Sequence, residues 1–106
     1  MKTIITSKGS ELTAQFEKRF GRAAYYCIYD ENLESISFIP NEQANAHGGA
    51  GTNAAGKMIE LGIKRIVSGD IGPKAKDVLE KFDVEMISLT DTGQTIEQII
   101  RQLKTK

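Results

Sequence analysis

The sequence predicts a three-layer α/β domain, a mixed five-stranded sheet covered by helices, with element order βββαβαβα. Three observations carry that reading. Up to Ile39, short β-rich runs alternate with turn residues. After Thr52 the apolar spacing becomes helical. From there strands and helices alternate, which favours parallel crossovers, whereas the first half favours antiparallel hairpins. Helices over a mixed sheet make three layers.

Thr3-Ile4-Ile5-Thr6 reads as the first strand, ending at the turn Lys8-Gly9-Ser10. Glu11 to Arg22 lacks a clear period and reads as a loop with a helical turn, anchored by Leu12, Phe16 and Phe20. Ala24 to Tyr29 is a strand with Tyr26 and Ile28 on one face and Tyr25, Cys27 and Tyr29 on the other. Asp30-Glu31-Asn32 turns the chain into Leu33 to Ile39, where Ile36 and Phe38 share a face, and Pro40-Asn41 closes the hairpin.

Thr52 or Asn53 is the expected cap of the next helix, which carries Ala55, Met58 and Ile59 and stops at Gly62. Arg65 to Ser68 is a strand, and Pro73 suits a first helical position. Ala75, Val78, Leu79 and Phe82 form an apolar stripe. Val84 to Leu89 is the last strand. Thr92 or Thr95 caps a final helix with Ile96, Ile99, Ile100 and Leu103, and the polar tail Lys104-Thr105-Lys106 frays.

At 106 residues, 40% hydrophobic and 26% charged, the chain has the size and composition of one soluble domain, residues 1–106. A net charge of zero with no basic run argues against binding nucleic acid through phosphates, so Tyr25, Tyr26 and Tyr29 read as packing residues. One cysteine, Cys27, excludes an internal disulfide. With one histidine beside it, a closed four-ligand zinc site is excluded too. No apolar run nears the ~20 residues of a membrane span, and the start is too short for a signal-peptide core, so a cytoplasmic setting is expected.

The densest chemistry lies in Asn45 to Thr52, where the single imidazole, His47, precedes Gly48, Gly49 and Gly51. A glycine-rich loop running into a helix start favours anions. A second such connection, Ser68 to Pro73, would share a cleft with it if the two converge at the carboxyl end of the sheet. The glycines fit tight turns equally well. No Gly-Lys-Ser/Thr follows them, and no GxGxxG occurs.

Phe20-Gly21-Arg22-Ala23, then Gly49-Ala50-Gly51 with Ala54-Ala55, then Gly69-Asp70-Ile71-Gly72-Pro73-Lys74-Ala75 follow in an order and spacing that resemble the dinitrogenase iron-molybdenum cofactor biosynthesis family, which includes NifX, NafY and the C-terminal domain of NifB. The resemblance covers nearly the whole chain. It implies a ribonuclease H-like fold and a protein that binds the iron-molybdenum cofactor, or an iron–sulfur precursor, and passes it between assembly and acceptor proteins. Some cofactor-binding relatives place a histidine directly before the Phe-Gly pair; here that residue is Arg19. His47 is the remaining candidate metal ligand.

The expected site is therefore His47 for the metal, with Gly48, Gly49, Gly51, Thr52, Arg22 and Gly72 around a transiently bound cluster. His47 reads alternatively as a loop histidine bonded to backbone, Arg22 as a structural salt bridge, Lys74 as a solvated lysine, and Asp70 as a turn residue. Ribonuclease H-type nucleases need a carboxylate on the first strand; Thr3 to Ser7 has none. The main expectation is a non-catalytic carrier. The alternatives are an interaction or regulatory module, marked by an exposed apolar patch around Leu12 to Phe20, and an enzyme acting on a phosphorylated small molecule.

Overall fold

The computed structural model describes residues 1–42, 44, 48–90 and 93–104. His47, Thr92 and the Thr105-Lys106 tail, each given a role above, lie outside the described residues.

Strands β1 (Lys2–Ser7), β2 (Tyr25–Asp30) and β3 (Ser35–Pro40) precede helix α1 (Ala50–Glu60), followed by β4 (Arg65–Ser68), α2 (Pro73–Lys81), β5 (Glu85–Ser88) and α3 (Ile96–Lys104). The sheet order is β3-β2-β1-β4-β5. β2 runs antiparallel to both of its neighbours, while β1, β4 and β5 are parallel. This is the ribonuclease H-like arrangement.

Register explains the layering. Ile4 pairs with Ile28 on β2 and Ile66 on β4, and Ile5 pairs with Cys27 and Val67. Because strand side chains alternate, the two rows face opposite ways. Ile4 and Ile66 join Ala54, Ala55 and Met58 of α1 and Ala75 and Leu79 of α2 in one core. Ile5, Cys27 and Val67 join Ile96, Ile99 and Ile100 of α3 in the other. Isoleucines fit central strands because branched side chains pack well on a pleated surface, and each fully buried one contributes roughly 1.5–3 kcal/mol.

The segment between β1 and β2 forms no helix. Its Ala14 N–H to Glu11 O bond (2.9 Å) closes a single turn, and the rest is held from outside. Lys8 N–H donates to Gln15 O, Glu17 N–H to Thr6 O, and Phe16 N–H to Gln94 O. Phe16 and Phe20 are 0% and 1% exposed, so the apolar patch expected of an interaction module is instead core.

Other departures are local. Phe82 does not complete the α2 stripe: it is the C-cap residue, leaves the helix at φ −104°, and is 53% exposed. Ile36 is likewise 37% exposed on the edge strand, while Phe38 packs on the α3 side. α1 begins at Ala50, so Thr52 and Asn53 lie inside its first turn rather than capping it.

Candidate functional site

β3 and β4 end on the same edge of the sheet, since β3 is parallel to β1 through the antiparallel β2. The connections into α1 and α2 therefore leave from one side. Between the two helix starts lies a hollow of about 630 Å³. It is lined by Gly49, Gly51, Thr52 and Asn53 from one start and by Gly72, Pro73, Lys74 and Ala75 from the other.

Both starts are capped by glycine. Gly49 sits at φ 71°, the left-handed region where a Cβ would be strained, and Gly72 is extended. Neither helix has a side-chain cap bond or an acidic residue in its first turn. The first helical bond of α1 is Asn53 N–H to Gly49 O (2.8 Å), and that of α2 is Lys76 N–H to Gly72 O (2.9 Å). Among the described residues the N–H groups of Ala50, Gly51, Thr52, Lys74 and Ala75 have no hydrogen-bond acceptor. Pro73 has no N–H to satisfy. The positive ends of two helix dipoles thus border one hollow, uncompensated by any acid of their own.

Of the expected site residues, Gly49, Gly51, Thr52 and Gly72 come together here. Gly48 is exposed on the approach to α1 and does not line the hollow. Arg22 does not line it either; its guanidinium donates through Nη1 to Ala44 O (2.9 Å), on the loop that leads to α1. Lys74 is exposed and is the one charged side chain in the described lining. Asp70 makes an exposed ion pair with Lys18 (3.8 Å).

Cys27 belongs to the opposite face. It is fully buried in the α3 core, and that burial pushes its thiol up to about 12. A thiol held neutral is a poor metal ligand and a slow nucleophile. Burial likewise raises the Tyr26 phenol, whose OH donates to Phe20 O (2.7 Å). Among the described residues no group of three or more His, Cys, Asp or Glu side chains could hold a metal ion.

Sequence reasoning missed two supports of this site. Gly21 was noticed only as part of a motif, yet a Cβ there would lie 2.7 Å from Gly51 N and 2.8 Å from Gly51 Cα, so the Phe20–Ala24 loop presses on the first turn of α1. Asn41, which closes the hairpin, also bonds that loop through its side chain. The adjacency of Asn to Pro at a strand end signals a turn, but nothing local shows which distant carbonyls it meets.

The model of the family described as dinitrogenase iron-molybdenum cofactor matches residues 1–106. An uncharacterized protein of Methanocaldococcus jannaschii is 29% identical over 77 residues, which cover 70% of this chain and 65% of that relative, a little under two-thirds of its length. Among solved structures, the apo form of the orange protein from Desulfovibrio gigas has a TM-score of 0.87 at 26% identity, over 98% of this chain and 87% of that one. A Thermotoga protein provisionally assigned as NifB and placed in the DUF35 family has a TM-score of 0.83 at 25% identity, over 98% and 87% of the two chains. Among the described residues no helix is long and apolar enough to cross a membrane.

Proposed function

We propose, from the premise that this chain belongs to the dinitrogenase iron-molybdenum cofactor family, that it is a non-catalytic carrier of an anionic iron–sulfur or iron-molybdenum-type cluster. The cargo sits between the starts of α1 and α2. The observation that carries this reading is the pair of glycine-capped helix starts that border one hollow without an acid of their own. The N–H groups of such starts are ready donors to an anion. The described lining contains no carboxylate to repel an anionic cargo.

In this reading His47 supplies the one labile metal bond as a neutral imidazole. Lys74 adds positive charge at the rim. A single side-chain ligand gives ready release, which suits transfer from a cofactor-assembly donor to an acceptor protein in the cytoplasm. The test is oxygen-free titration of the purified apo-protein with a tetranuclear iron–sulfur thiolate anion, followed by absorbance. The parent takes up the cluster, and His47→Ala weakens uptake by at least a few-fold. Equal uptake by the variant removes His47 from the site, and no uptake by the parent removes the carrier function.

A further inference from the structure

Resting on the carrier reading, we infer that Asn41 is the positioning residue of the cargo site: it fixes the Phe20–Ala24 loop that sets where the first turn of α1 stands.

That loop spans the two connections bordering the hollow. At one end Phe20 N–H donates to Asp70 O (3.0 Å), in the loop that leads to α2. Next to it Gly21 lies against the backbone of Gly51, so close that any side chain would strike Gly51 N at 2.7 Å. The loop is thus a strut between the two helix starts.

Three of the bonds that hold the strut come from one residue. Asn41 Nδ2 donates to Gly21 O (3.0 Å) and to Ala23 O (2.9 Å), and the Asn41 backbone N–H donates to Ala24 O (3.0 Å). Tyr26 OH takes the Phe20 carbonyl. A primary amide has two N–H donors on one nitrogen, and both are used here on neighbouring carbonyls. Aspartate has no such donor, and serine has only one. Asn41 follows the last residue of β3, so it ties the sheet edge to the strut at the point where the chain departs for α1. Asn41 itself is absent from the lining of the hollow and acts through Gly21 on the Gly51 amide.

The test uses the full chain and the same cluster anion. Asn41→Ala should weaken uptake about five-fold or more, the scale expected when hydrogen bonds that fix a binding group are lost. Amide hydrogen exchange at Asn53, whose N–H closes the first turn of α1 on Gly49 O, should quicken, while exchange in β4 stays as in the parent. Asp30→Ala is the matched control. It also removes two side-chain bonds to backbone, those from Asn32 N–H (3.0 Å) and Leu33 N–H (3.3 Å), but at the opposite end of the sheet. Its uptake should equal the parent's. If Asn41→Ala does not fold, Asn41→Ser, which keeps one donor, serves with the same expected direction. Parental uptake by a folded Asn41 variant overturns the positioning role alone, as does equal weakening by Asp30→Ala. Failure of the parent to bind removes the carrier reading and this role with it.

Discussion

The three helix starts are built in two ways. At α3 every early N–H is satisfied: Ile96 N–H by Ala14 O (2.9 Å), Glu97 N–H by Leu12 O (3.0 Å), Gln98 N–H by Thr95 Oγ1 (3.2 Å) and Ile99 N–H by Thr95 O (3.2 Å). Gln98 Oε1 in turn accepts from Thr95 N–H (2.9 Å), which completes a capping box, and Glu97 supplies an acid for the dipole. At α1 and α2 glycine replaces the capping side chain and no acid appears. Among the described residues, one helix start is closed against other segments of the chain and two, beside a shared hollow, are not. Relative to a Ser, Thr, Asn or Asp cap, each glycine-capped start forgoes only about a few tenths of a kcal/mol. The two starts without a capping side chain stand side by side at the hollow, and the capped one packs on the opposite face of the sheet.

The most severe way to break the comparison is to push on the open end directly. Gly21→Ala puts a methyl group into backbone on the α1 side, where no flexible side chain yields. Overpacking of this kind costs about 1–3 kcal/mol. A fall in melting temperature of roughly 4–8 °C per kcal/mol follows for a domain near this size. Uptake of the cluster anion should fall with it. A variant with parental melting temperature would mean that the close approach to Gly51 is dispensable.

A milder pair separates the two kinds of start. Thr95→Ala opens the closed one, costs about 1 kcal/mol, and leaves uptake unchanged because α3 packs on the far face. Thr52→Glu does the converse. Glutamate in the first turn of α1 compensates the dipole and should stabilise the protein by about 0.3–1 kcal/mol. The same charge competes with an anionic cargo, so uptake should drop several-fold. A stabilised Thr52→Glu variant that still binds like the parent would show that the open starts are not the anion site.

Much of this contrast was legible in residue order, and the illegible part has a physical reason. Thr92 and Thr95 were equally legible as caps of α3, and the bond from Gln98 N–H to Thr95 Oγ1 shows Thr95 to be a cap. Pro73 after Gly72 located α2, and Gly62 at φ 78° located the end of α1. The start of α1 was misplaced, because capping preference favours Thr52 or Asn53 over glycine and the left-handed Gly49 leaves no mark in composition. Segment 11–22 carries no period since, apart from the single Glu11–Ala14 turn, its backbone bonds go to β1, α3 and the Gly69-Asp70 loop. The convergence of Gly49, Gly51, Thr52 and Gly72 was expected from crossover topology. The roles of Gly21 and Asn41 were not, for they depend on contacts across 30 and 20 positions of chain respectively (Gly21 to Gly51, Gly21 to Asn41).

The smallest effect at neutral pH concerns the closed face, where Cys27 sits beneath α3. Burial raises its thiol from the ordinary 9.0 to about 12, so folding favours the protonated, neutral form. Below pH 9 both folded and unfolded chains hold the proton and the contribution to stability is complete. As pH rises from 9 toward 12 the unfolded chain loses its proton first, and that contribution is lost. Denaturant midpoints of the parent should therefore decline over this range. Cys27→Ala, which has nothing to titrate, should show a shallower decline and parental cluster uptake at pH 7. Native Cys27 should also react far more slowly with a thiol reagent than it does in denaturant. A fast-reacting native thiol, or an uptake defect in Cys27→Ala, would place this sulfur in reach of cargo and erase the distinction between the open face and the closed one.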